Sequence, residues 1–213
     1  MSDLLLLVPF AAVVLLNLLP KRARAAGTWI AFAVLALEAA AAFVQRFGCA
    51  GACAWDPLGA VFGFHVVPDG LSGLLLLCAG LVGMTALLVA QKTLRETRER
   101  FFFANLVLVA LVGINGIAMV RDLFSLYVFV EVTAVATFIL VALDSFAEGR
   151  GTEALEGAWK YILLSVIASV LMLLAVAFLL LSAGDTSLEA ARAALAARDP
   201  LAWIAIALFL CGL

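Results

Sequence analysis

Residues 123–143 read LFSLYVFVEVTAVATFILVAL, an apolar and hydroxylic run interrupted by a single carboxylate, Glu131. At about 1.5 Å per residue such a run spans the hydrocarbon of a bilayer, about 30 Å thick. Eight residues precede Glu131 in the run and twelve follow it. It therefore lies about 12 Å along the helix, near the middle of the membrane. A carboxylate at that depth costs about 2.5–3.5 kcal/mol on insertion scales, and a chain that keeps this cost usually uses the group to bind or relay an ion. The plainer reading is a carboxyl that is simply protonated, or that hydrogen-bonds a neighbouring helix.

The rest of the chain has the same character. Hydrophobic residues make up 67% and charged residues 13%, with a mean hydropathy of +1.22. Soluble domains are nearer one half apolar and one quarter charged, so this is an integral membrane protein. The net charge of −2 sits in the connections, and no extended basic patch points to nucleic acid. Leu4–Leu19 follows an acidic start, Ser2-Asp3, and ends in Leu-Leu-Pro-Lys-Arg without a small-residue cleavage site, which reads as a retained first span.

Length and flanks place the spans at about 4–19, 28–45, 70–90, 102–120, 123–143, 158–182 and 201–213. The expected fold is an all-α polytopic transmembrane helix bundle of about seven segments, the last incomplete. If 201–213 lies in the interface, the count is six. Residues 1–68 form an N-terminal two-span region with an outside loop, and 69–213 the remaining spans. Asp69-Gly70-Leu71-Ser72 reads as a capped helix start. Residues 187–199, SLEAARAALAARD, have the pattern of a short amphipathic helix at the interface.

Lys and Arg set the orientation. The first connection carries Lys21, Arg22 and Arg24, and the third Lys92, Arg95, Arg98 and Arg100; the second and fourth carry only Arg46 and Arg121. Odd-numbered connections are thus expected in the cytoplasm, with the N-terminus outside and the chain multi-pass in the cell (plasma) membrane. Cys49 and Cys53 then fall on the oxidising side, where a disulfide between them is chemically allowed. The single histidine, His65, is too little for a zinc site. Nothing has the spacing of a redox cofactor motif, so no cofactor is expected.

Two further ionisable groups lie within spans. Lys160 begins the sixth, in EGAWKYILLSVIASVLMLLAV, as either a snorkelling terminal lysine or a base whose charge burial makes removable. Either way it needs a nearby carboxylate, and Glu131 is the candidate. Glu38, ten residues into the second span, is either a relay member or a packing group paired with Asn17 or another polar side chain. Asn105, Asn115, Thr133, Thr137, Ser165 and Ser169 singly are ordinary helix-packing residues.

Taken together, DGLSGLLLL at the third span, RDLFSLYVFVEVTAVATFILVAL at the fifth and EGAWKYILLSVIAS at the sixth resemble a known family. It is the antiporter-like membrane subunit shared by respiratory complex I (NADH:quinone oxidoreductase), membrane-bound energy-converting hydrogenases and Mrp-type cation/proton antiporters. The YVFVE pattern is the most specific piece, WKY is nearly as good, and DGLS alone is weak. The resemblance covers about residues 69 to 213.

The resemblance implies a proton or cation pathway, with Glu131 and Lys160 at the positions of the family's titrating glutamate and lysine. Glu38 matches nothing in the family and joins the pathway set only by its depth. A central lysine and a Pro-His pair that follow in the family fall beyond LFLCGL, the last residues here. The expectation is that another chain supplies those spans. The implied function is a proton-translocating subunit that couples redox energy or a cation gradient to proton movement. The alternative is a truncated structural or assembly subunit without transport of its own. A self-sufficient transporter is disfavoured because no paired repeat is visible. Expected partners are other membrane subunits, the lipid bilayer, and protons or Na+. No residue here catalyses a covalent reaction, so any oxidoreductase chemistry would belong to partner subunits.

Overall fold

A computed structural model of the chain describes residues 2–18, 24–47, 69–94, 96–143 and 151–213. Eight helices follow one another among these residues. They are α1 (Ser2–Leu18), α2 (Arg24–Phe47), α3 (Gly70–Thr93), α4 (Thr97–Met119), α5 (Leu123–Leu143), α6 (Gly151–Ala183), α7 (Leu188–Ala196) and α8 (Pro200–Gly212). Five segments, in α2 to α6, are long and apolar enough to cross a membrane; Leu5–Leu18 and Pro200–Gly212 are shorter apolar helices. The protein is an all-helical, multi-pass membrane protein.

The helix ends follow local chemistry. Asp69 accepts hydrogen bonds from the backbone N–H of Leu71 (3.1 Å) and Ser72 (2.8 Å), while Ser72 Oγ accepts from the Asp69 N–H at 2.6 Å. This reciprocal cap satisfies N–H groups that the first turn leaves without partners. Asp122 does the same for α5, taking the N–H of Ser125 at 2.7 Å. Gly184, at φ +70°, ends α6 in the left-handed conformation that a glycine adopts without a Cβ clash. Asp199 caps α8 through the Leu201 N–H at 3.0 Å, with Pro200 in the first turn, where a missing N–H costs nothing. The amphipathic segment is helical, as its spacing predicts, and Ser187 caps it.

Packing divides the helices into two groups that share α5. One apolar core joins α1, α2 and α4 with Leu87 of α3, around Leu16, Leu35, Phe101 and Leu108. A second adds Phe129 of α5 to α1–α4. A third joins Leu123 of α5 to α6, α7 and α8, around Met172, Leu179 and Phe209. Small residues let the backbones approach: a Cβ added to Gly116 would overlap the Phe129 ring, and one on Gly80 would lie 3.2 Å from the Ala39 Cβ. In lipid, where apolar burial drives helix association little, such close contact is a main source of cohesion.

The short α4–α5 turn is tied to the α6–α7 connection. Leu123 N–H donates to the Thr186 carbonyl at 2.9 Å, and Leu188 N–H to the Arg121 carbonyl at 3.0 Å. Thr186 Oγ1 also donates to Asp122. Arg121 reaches Asp69 at 3.1 Å, so α3 joins the same polar rim. The Ser72 hydrogen bonds hold the Asp69 carboxyl below the usual carboxylate range, with Arg121 adding less.

Candidate functional site

Glu131 is carried by α5 between two well-defined contacts. Phe129 and Thr133 face α4, where they meet Gly116 and Gly113. Tyr127 and Thr137 face α6, where their hydroxyls lie 3.2 Å from Ser169 Oγ and 3.0 Å from Tyr161 Oη. At about 100° per residue, Glu131 comes about 40° round from Tyr127, one turn on, and on the side away from α4. It is partly buried. Among the described residues it has neither an ion-pair partner nor a hydrogen-bond donor.

Lys160 projects from α6 and pairs with Glu156 at 2.6 Å, four residues earlier on the same helix, with 69% and 64% of the two side chains exposed. The structure does not bring it to Glu131. The α5–α6 contacts Tyr127–Ser169 and Thr137–Tyr161 run antiparallel, which sets Glu131 level with Ser165 to Ile167. Lys160 is five to seven residues away along α6, or about 8–10 Å. The pairing with Glu156 follows from i,i+4 spacing, which puts both side chains on one face.

Glu38 is the most enclosed of the three ionisable groups, with 3% exposure. Its Oε1 accepts a hydrogen bond from Asn115 Nδ2 of α4. Asn115 is thus the other polar side chain that the sequence left open, while Asn17 forms a reciprocal amide pair with Asn105 at 3.2 and 3.3 Å, linking α1 to α4. Asn115 Nδ2 also donates to the Leu5 carbonyl of α1 at 2.8 Å. That carbonyl is free for a local reason: Pro9, four residues on, has no N–H to return to it. A proline inside an apolar helix was the signal that a polar side chain must approach Leu5, and it marks Asn115 as more than an ordinary packing residue.

Cys49, Cys53 and His65 lie outside the described residues. Among the described residues no group of three His, Cys, Asp or Glu side chains is gathered as a metal site.

An apolar helix pair with a lone mid-span carboxylate can hold a proton or a small cation, and known proteins are similar to this chain in sequence and in fold. Residues 120–213 match the family model described as NADH:quinone oxidoreductase/Mrp antiporter, TM. The chain is homologous to antiporter-like membrane subunits. It is 33% identical over 120 residues to a Na(+)/H(+) antiporter subunit of Alkalihalophilus pseudofirmus, covering 56% of this chain and 23% of that protein. It is 31% identical over 136 residues to an NADH-quinone oxidoreductase subunit of Desulforudis audaxviator, covering 63% and 25%. A protein of the Mrp complex from a Dietzia species superposes with a TM-score of 0.76 at 26% identity, covering 99% of this chain and 40% of that one. The matched part therefore spans about a quarter of the curated relatives' length. Glu131, Lys160 and the α4–α5 turn lie inside the family match.

Proposed function

We propose that the chain is a proton-translocating, antiporter-like subunit of a complex I-, hydrogenase- or Mrp-like membrane assembly, with Glu131 as its principal titrating group. The observation that carries this reading is the placement of Glu131: mid-span in α5, inside the family match, with no cation among the described residues neutralising it. Such a carboxyl loads and unloads a proton as neighbouring charge or water access changes. Lys160 is the second titrating group. Its engagement with Glu156 makes its step and that of Glu131 consecutive rather than a single ion-pair exchange.

The remaining elements of the reading fit this role. The bundle has about seven apolar segments, the five longer ones with the shorter Leu5–Leu18 and Pro200–Gly212, the last of them incomplete. The N-terminus lies outside, because Lys92, Arg98 and Arg100 cluster at the α3–α4 end opposite the Asp69–Arg121 rim. Partner subunits supply the energy, from redox chemistry or a cation gradient, and a partner supplies the further spans of the pathway.

Glu131→Gln tests the proposal in the assembled complex. The carboxamide keeps shape and polarity but cannot release a proton. Proton-coupled activity is expected to be lost while the amount of assembled complex is unchanged. Full activity in this variant would leave the chain as a structural or assembly subunit.

A further inference from the structure

We propose that Glu38 permanently holds a proton and forms with Asn115 a cyclic carboxylic acid–amide pair that clasps α2 to α4, with α1 attached through the Leu5 carbonyl. The argument is one of donors and acceptors. The Leu5 carbonyl can only accept, so the Asn115 atom 2.8 Å from it is the nitrogen, and the orientation of the amide is set. Both hydrogens of that nitrogen are then used, one on Leu5 O and one on Glu38 Oε1. Two buried atoms remain without partners, Glu38 Oε2 and Asn115 Oδ1.

As a carboxylate, Glu38 leaves both of these as buried acceptors with no donor for either. One proton on Oε2 resolves both at once, because the O–H donates to Asn115 Oδ1 while Nδ2 donates to Oε1. Each orphan atom shares a carbon with an atom already bonded across the pair, so the second bond closes a ring. Such closure spares the desolvation cost of leaving a buried donor or acceptor unpaired. The Asn17–Asn105 pair, between α1 and α4, shows the amide–amide version of this ring.

No opposite charge among the described residues is placed to stabilise an ionised Glu38. Of the described titratable side chains on and beside the helices around it, Cys78 of α3 is exposed, Lys92, Arg98, Glu99 and Arg100 lie at the far ends of α3 and α4, and Arg121, just past the near end of α4, is taken up by Asp69. Glu38 is thus a structural acid, outside any path that must release its proton. This stands independently of the antiporter reading.

Infrared difference spectroscopy on the full-length protein in lipid, comparing wild type with Glu38→Gln at acid, neutral and alkaline pH, tests the assignment without a transport assay. The expected result is loss of one protonated-carboxyl band at every pH, with normal yield of inserted protein, because a glutamine donates to Asn115 Oδ1 through its N–H. A second variant, Asn115→Leu, leaves the acid carbonyl without its donor and shifts the same band to higher frequency. Loss of a carboxylate band, a pH-dependent change between the two bands, an unshifted band in Asn115→Leu, or failure of Glu38→Gln to insert each overturns the proposal.

Discussion

Gly113→Ala is the sharpest test of how α4 and α5 are held together. A Cβ at this position would overlap Thr133 Oγ1 and lie 2.9 Å from the Phe129 carbonyl oxygen and 3.0 Å from the Thr133 nitrogen. The first contact can be relieved by turning the threonine, at the expense of its bond to the Phe129 carbonyl at 2.9 Å. The other two are backbone atoms, so α5 itself must withdraw by roughly half an ångström to reach ordinary contact. Overpacking of this kind costs about 1–3 kcal/mol, or about a 5- to 150-fold loss in the folded ratio. Gly157→Ala is the matched control on α6, because its Cβ would meet nothing closer than Val141 Cγ1 at 3.9 Å. In a helix interior that exchange gains about 0.5–1 kcal/mol. Thermal unfolding of both variants in the same lipid–detergent mixture should separate them widely, Gly113→Ala below wild type and Gly157→Ala at or above it. Equal melting temperatures for the two would refute the close-packed interface.

Lys160→Arg keeps the positive charge but cannot release a proton, and Lys160→Met removes the charge. Both are expected to impair proton-coupled turnover at normal assembly, and normal turnover in the arginine variant would remove Lys160 from the pathway. Asp69 has its carboxyl held low by the Ser72 hydrogen bonds. Its contribution to stability is therefore complete above the unfolded-state value and is lost as pH falls through the lower folded-state value. Asp69→Asn keeps the cap and should flatten that acid-side decline in a series of melting curves, whereas an unchanged decline would exclude Asp69 as its source. Tyr161→Phe removes one hydroxyl contact to Thr137, for which membrane proteins average about 0.6 kcal/mol. A small drop in melting temperature is expected, and a collapse of the fold would show that the α5–α6 interface depends on it far more than this.

Hydropathy made the helices legible because a membrane-crossing segment announces itself by length: each apolar stretch read from the chain falls on a helix, and five of those helices are long enough to cross. The Asp69 cap was legible for a different reason, since its donors lie within three residues. Interhelical pairings were not. Glu38 meets Asn115 rather than Asn17 because partner choice depends on how α1, α2 and α4 rotate against one another, which no local pattern encodes. Lys160 was a different case. Its partner Glu156 sits at plain i,i+4 spacing, yet reading the lysine by membrane depth drew attention to Glu131 instead. Glu131 was found by its cost in hydrocarbon alone, before any fold was known, but its lack of a partner among the described residues could be seen only in three dimensions.

The length of α6 has a consequence of its own. Its 33 residues measure about 50 Å, some 20 Å more than the hydrocarbon layer is thick. Tilts of up to about 40° do not absorb that surplus. The Tyr127–Ser169 and Thr137–Tyr161 contacts set Leu143 level with about residues 153–155, so α6 runs past α5 at both ends and by about one turn at its N-terminus. Tyr161 meets Thr137, six residues before the end of α5, so Lys160 lies level with the last third of α5 and not in the overhang. Glu156, level with the last turn of α5, thus reaches inward to Lys160 along the face of α6, so the pair bridges the helix end and the span.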